Sequence, residues 1–300
     1  MAIAQSTTVA HMLTSMTGRA VEIVGITTAG DTSRAQLTQI GGTGVFVTTL
    51  RDRLLAGEID FAVHSLKDLP VGPAPTIVIA AVPPRDDPRD ALVARNGAKL
   101  ADLPSGARIG TGSPRRAAQL LLMRQDVRPV PIRGNAGTRL AKIDTGDVDA
   151  VVLAYSGLAR IGKLDVVSQA FEADEMLPAP GQGALAVECL ASRPDVIELL
   201  ASIDDSASRA ATDAERGVLA ALQAGCSAPV GAYAAGTDEL RLDAIVVAAD
   251  GGAALRGRIS GPVEAAERLG REVAADLLAR GAGRYTDVSA GHLSYGEDTK

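Results

Sequence analysis

The sequence predicts an α/β protein closed by a smaller α+β unit, and three observations carry that reading. Short apolar, β-branched runs alternate with helix-patterned runs from Val21 to Cys189, the order of a chain that builds helix-covered sheets. Residues 148–154 are largely apolar, the pattern of a strand buried on both faces of a parallel sheet. After Pro229 the pattern changes to two strands around Asp250-Gly251-Gly252, followed by one long helix.

The elements follow in order. Ala2-Ile3-Ala4-Gln5-Ser6 opens a helix, and the β-branched residues 21–26 predict a strand. Gly41-Gly42-Thr43-Gly44 reads as a loop before an amphipathic helix over 45–55. Residues 59–63 form a short strand that ends in His64-Ser65-Leu66-Lys67-Asp68-Leu69-Pro70, and 76–81 form another. The polar, proline-rich stretch 83–90 reads as a linker or crossing segment. Arg108-Ile109-Gly110 then leads through Thr111-Gly112-Ser113-Pro114 into a helix over 115–124. Pro129 and Pro131 cannot donate to a sheet ladder, so residues 129–133 are at best an edge strand. Arg133-Gly134-Asn135-Ala136-Gly137-Thr138-Arg139 is a basic turn opening the next helix. A strand over 148–154, a helix over 155–162, a loop over 177–183, a strand over 184–189 and a helix over 206–223 complete this part. In the last unit, strands over 240–248 and 254–260 form a hairpin. Pro262 starts a helix with Leu269, Val273 and Leu277 on one face and Gly281 beyond its end. The tail after Arg284 is predicted to be loosely held.

Composition narrows the function. At roughly 150 residues per domain, 300 residues predict two domains or three small ones. Aromatic residues are 2%, without Trp, and the formal net charge is −6. Stacking platforms and general nucleic-acid faces need the opposite. Two cysteines cannot make a disulfide framework, which points to a reducing compartment. With no targeting or membrane segment in the pattern, the expected location is the cytoplasm. His11, His64 and His292 lie far apart, so no metal site is expected.

Charge is uneven. Residues 105–163 hold ten basic side chains against four acidic ones inside an acidic chain. Several of those arginines stand in Gly/Ser/Thr turns at strand ends, where open α/β sheets bind ligands. That placement predicts a pocket for a small polyanion, with Arg115, Arg116, Arg133 and Arg139 as contacts. For Lys67 and Asp68 two readings stand: a surface ion pair, or a carboxylate at a strand's end facing a cleft, able to stabilise cationic charge and move protons. Cys189, in an apolar strand, reads as a buried small hydrophobe. Cys226, in a loop after a helix, reads first as an incidental thiol and second as a nucleophile or attachment point.

Taken together, five motifs in order carry a resemblance. They are the segment from Val63 to Pro70, Gly110 to Arg116, Arg133 to Arg139, Leu177 to Ala184, and Gly225-Cys226-Ser227-Ala228-Pro229. Over nearly its whole length the sequence closely resembles the hydroxymethylbilane synthases, also called porphobilinogen deaminases. The resemblance implies two periplasmic-binding-protein-like α/β domains plus a small C-terminal α+β domain. Its boundaries place 1–84 with 184–204 in the first, 85–183 in the second and 205–300 in the third. It implies that four porphobilinogen molecules are joined head to tail on a dipyrromethane primer, with ammonia released at each addition, before hydrolysis to hydroxymethylbilane. Cys226 would hold that primer through a thioether, and Asp68 would be the catalytic carboxylate. Lys67, Ser65, Thr111, Ser113, Arg115, Arg116, Arg133, Gly134 and Asn135 would bind the primer. Arg139, Arg160, Phe46 and Gln182 would lie along the substrate path. Each pyrrole carries two carboxylates, which accounts for a basic unit in an acidic chain. A fixed carboxylate would stabilise the azafulvenium cation left when the amine departs. The resemblance further implies a monomer handing its product to a uroporphyrinogen synthase. The family's Gly-Thr-Arg-x-Ser motif, expected before the Ala-Gln segment, is not in the sequence. That keeps a non-catalytic homologue, or a small-anion binding protein of the same two-lobed architecture, as the alternative.

Overall fold

The computed structural model describes residues 1–26, 44–72, 74–225 and 228–286. Helix α1 (Ala2–Thr17) buries Val9, Ala10 and Leu13, and ends at Gly18 in the left-handed conformation. Helix α2 (Gly44–Leu55) precedes β1 (Phe61–Ser65) and β2 (Ile77–Ala81). The chain then crosses into β3 (Asp90–Ala94), β4 (Arg108–Gly110) and α3 (Pro114–Met123). After these come β5 (Arg128–Val130), α4 (Ala136–Asp144), β6 (Ala150–Ala154), α5 (Tyr155–Arg160) and β7 (Gln169–Ala170). It crosses back to supply β8 (Leu185–Leu190) and α6 (Pro194–Ala201). The first sheet has the order β1-β8-β2 and the second β5-β4-β6-β3-β7. Helix α7 (Ser206–Ala221) leads into the meander β9 (Val230–Ala235), β10 (Glu239–Val247) and β11 (Ala254–Pro262), backed by α8 (Ala266–Ala279) and a last turn, α9 (Gly283–Thr286).

The core follows the apolar pattern. On one face of the second sheet Leu92, Ile109, Leu120, Val152 and Phe171 pack together. Val93, Ile132, Val151, Leu153 and Leu158 pack on the other. Residues buried on both faces must be apolar at successive positions, which is why β3 and β6 lack alternation. Cys189 lies buried in the core of the first sheet. Among the described residues no helix is long and apolar enough to cross a membrane.

Three expectations need correction. Among the described residues the sheets are not mainly parallel: β4–β5 and β4–β6 run parallel, and β8 runs antiparallel to both its neighbours. An apolar run reports burial on two faces, whereas direction depends on how the chain crosses, and here it crosses twice. Residues 21–26 form no strand and are largely exposed. Strand β1 is the sheet edge and pairs with β8, but residues 21–26 do not join its outer side: they line the same cavity as β1 and pair with no strand among the described residues. Pro262 both ends β11 and caps the helical run, which opens as a 3-10 turn, Val263–Ala265, so that α8 proper begins only at Ala266. As an edge strand, β11 tolerates a residue without an N–H. The edge position expected for residues 129–133 does hold, for β5 is the outer strand of its sheet. The loop expected at 41–43 and the tail beyond 286 lie outside the described residues.

Candidate active site

The two crossings, residues 82–90 and 177–184, meet between the sheets. Gly183 makes that meeting possible. It sits at φ 90°, and a Cβ there would run into the carbonyl oxygen of Asp86 on the other crossing. Only glycine fits both the backbone angle and the approach.

At this junction stands Asp90, the first residue of β3 and fully buried. Its carboxylate accepts from Arg115 Nη1 at 2.6 Å, Arg116 Nε at 2.8 Å and Gln182 Nε2 at 2.9 Å. The arginines arrive together because Ser113 caps α3 and Pro114 occupies its first turn, where a missing N–H costs nothing. Arg115 Nη1 also donates to the Leu177 carbonyl at 2.7 Å and Arg116 Nη1 to that of Val152 at 3.1 Å. Gln182 joins the groups: its Oε1 accepts from Arg116 Nη2 and from Lys67 Nζ, each at 3.2 Å.

Electrostatics favour an anion here. Burial alone would raise the Asp90 carboxyl, but Arg115 and Arg116 outweigh it and hold the group well below the usual range. Burial, and then the neighbouring charge of Arg116, lower the Lys67 ammonium to about 8. Burial likewise lowers Arg116, with Arg115 and Arg139 adding repulsion. Among these described residues Asp90 and Asp68 stand against Lys67, Arg115, Arg116 and Arg139. Positive charge is in excess. The Nε of Arg115 is buried and has no partner among the described residues.

Lys67 and Asp68 lie in a single 3-10 turn, Leu66–Asp68, directly after β1. Asp68 lines a cavity of about 1160 Å³ together with Gln5, Phe46, His64 and Ser65. Gln5 of α1 donates to Ser65 Oγ at 2.6 Å, tying the helix to the strand end. Below the turn, buried Glu188 of β8 accepts two bonds from Arg51 of α2, at 3.1 and 2.6 Å, and lies 3.3 Å from His64 Nε2. Burial opposes its ionisation, yet His64 and Arg51 hold the Glu188 carboxyl at about 2.

The other expected residues divide by surroundings. Thr111 is buried, and its Oγ1 accepts from the Ser113 amide at 3.2 Å. Asn135 caps α4, accepting from the Thr138 amide at 2.9 Å. Arg139 donates from Nε to the Gly134 carbonyl at 2.8 Å, and Arg133 is exposed. Arg160 pairs with Asp86 at 2.7 Å and also donates to the Gly183 carbonyl. Cys226 lies outside the described residues.

Sequence reasoning missed Asp90, Glu188 and Glu215. Glu215 is fully buried in α7 and takes both terminal nitrogens of Arg85, at 2.6 and 3.0 Å. A signal was available for each: an acid on an otherwise apolar strand, or on the buried stripe Ala211, Ala214, Val218 and Leu219 of a helix.

The fold and site therefore define an α/β protein with a buried cationic cluster at a double crossing and a carboxylate, Asp68, on the adjoining turn. The chain belongs to the porphobilinogen deaminase family. Residues 1–198 match that family's "Porphobilinogen deaminase, dipyromethane cofactor binding domain", and residues 210–279 match "Porphobilinogen deaminase, C-terminal domain". Porphobilinogen deaminase of Thermobifida fusca is 57% identical over 302 residues, covering 97% of this chain and 94% of that protein. Porphobilinogen deaminase 1 of Streptomyces coelicolor is 54% identical, covering 94% of this chain and 93% of that protein. Among solved structures, the Bordetella pertussis BvgS VFT2 domain has a TM-score of 0.41 at 18% identity, covering 66% of this chain and 76% of that one.

Proposed function

We propose that this chain is a hydroxymethylbilane-forming transferase. It condenses four porphobilinogen molecules on a dipyrromethane primer held through Cys226, releases ammonia at each step, and then hydrolyses off the tetrapyrrole. The observation that carries the reading is the excess of buried positive charge at the crossings, with an orphaned Arg115 nitrogen and Asp68 beside it. The residues present fit a polycarboxylate. Lys67, Arg115, Arg116, Arg133 and Arg139 would hold the primer's acetate and propionate groups, with Ser65, Thr111, Ser113, Gly134 and Asn135 around them. When bound, the primer supplies the nucleophilic pyrrole carbon to which substrate is added.

The protein's own side chains do the rest. Arg160, Phe46 and Gln182 line the route of substrate. Asp68 acts on porphobilinogen: its carboxylate stabilises the cation left as the amine departs and accepts the proton lost after carbon–carbon bond formation. Arginine forks neutralise carboxylates without changing protonation, so the growing charge does not repel the next substrate. The three units proposed are 1–84 with 184–204, 85–183, and 205–300. We place the enzyme in the cytoplasm as a monomer that passes product to a uroporphyrinogen synthase.

Asp68→Asn tests the assignment. It should fold and load primer as the wild type does, yet lose on the order of 10²-fold or more in ammonia release, the loss typical of a removed transition-state stabiliser. A wild-type rate in this variant rejects the role given to Asp68.

A further inference from the structure

We propose that Glu215 and Arg85 are positioning residues: through them α7 fixes the Gly181–Gln182 turn, and so the carboxamide that meets Asp90, Arg116 and Lys67. The inference rests on the function proposed above and concerns residues to which that function gave no part.

Four bonds fill the Glu215 carboxylate. Besides both terminal nitrogens of Arg85, it accepts from the Gly181 amide at 2.7 Å and the Ala234 amide at 2.9 Å. Arg85 is equally committed. Its Nε donates to the Gln182 carbonyl at 2.8 Å, its amide donates to Ser208 Oγ at 2.9 Å, and its guanidinium lies 5.5 Å from the Tyr233 ring centre. One acid of the third unit thus touches the first crossing through Arg85, the second through Gly181, and its own sheet through Ala234.

The second crossing has little slack. A Cβ on Gly181 would lie 3.1 Å from the Leu66 side chain and 3.3 Å from the Lys67 amide. Gln182 is therefore held from two sides. Its backbone is set by Arg85 and, through Gly181, by Glu215. Its side chain donates to Asp90 and to the Pro88 carbonyl while accepting from Arg116 and Lys67. A buried ion pair contributes little net stability compared with apolar residues of the same volume. Its directional bonds do specify geometry, and here one from each partner, Glu215 to the Gly181 amide and Arg85 to the Gln182 carbonyl, ends on the turn that places Gln182. Since α7 ends at Ala221, shortly before Cys226 in sequence, the same pair ties the helix leading to the attachment loop to the hub of the cleft.

Arg85→Lys in the full-length, primer-loaded enzyme separates positioning from stability. Lysine keeps a cation for Glu215 but cannot also donate to the Gln182 carbonyl as Nε does. We expect an unfolding midpoint within a few degrees of wild type, an unchanged KM for porphobilinogen, and kcat lowered about tenfold. Arg85→Met with Glu215→Gln, which removes the buried charge pair together, should remain folded and show the same kcat loss. Full kcat in either folded variant overturns the inference. A wild-type enzyme that releases no ammonia from porphobilinogen overturns instead the function on which it rests.

Discussion

Arg115 and Arg116 lie buried against Asp90, whereas Arg133 is exposed and Arg139 half-buried, although both pairs stand in Gly/Ser/Thr-rich turns at strand ends. The difference lies in the partner. Asp90 at the start of β3 reaches the first pair, and desolvation makes that contact obligatory. Among the described residues Arg139 donates to a backbone carbonyl, that of Gly134. Asp90 fixes where the buried pair sits, whereas the rim pair is placed by its own turn.

The sharpest way to break the comparison is Asp90→Ala. Two buried guanidinium groups would lose their carboxylate, a change that costs about 3–5 kcal/mol. Urea unfolding reads it directly, and a loss below about 1 kcal/mol would mean the buried pair is no more constrained than a surface pair.

A smaller effect separates the rim. Arg133→Ala should shift stability by no more than about 0.5 kcal/mol, as exposed substitutions do. It should still raise KM for porphobilinogen several-fold, measured by initial rates across substrate concentration. Loss of stability without a change in KM would assign Arg133 to the fold.

Acid separates the hub from the first sheet. The Glu188 carboxyl is lowered from 4.5 to about 2, so its ionised form stabilises the fold above the unfolded value. That contribution is lost as pH falls from about 4.5 towards 2. Glu188→Gln should flatten the stability profile across this window.

Lys67 gives the mildest effect, in the same sense of pH but at the alkaline end. Its lowered value means that the unfolded chain binds the extra proton between about 8 and 10.5, so stability rises across that interval. Attraction for carboxylates weakens over the same range. KM should climb above pH 8, and Lys67→Gln should remove the climb.

Much of this was legible in the residues. Helix starts were fixed by Ser113-Pro114 and Asn135, whose caps form as their chemistry requires. Apolar runs located β6 and β8 because burial on two faces leaves few polar positions, whereas β3 went unread because it follows directly on the polar, proline-rich crossing. Strand direction was not legible, since it depends on the return of the chain as β8 between β1 and β2. Nor were the partners of Arg115 and Arg116. An arginine in a ligand-type turn and an arginine paired with a distant aspartate read alike until the crossing brings Asp90 to them. The buried acids left a fainter trace, an Asp or Glu interrupting an apolar stripe, and Asp90, Glu188 and Glu215 all carry it.

The central claim, a polycarboxylate primer tethered at Cys226 within the cationic cleft, is tested most directly by intact mass. The wild type should weigh more than its bare polypeptide of 30.6 kDa by one dipyrromethane and gain further mass on addition of porphobilinogen, while Cys226→Ser should show neither increment. A wild-type mass equal to the bare chain, unchanged by porphobilinogen, would contradict it.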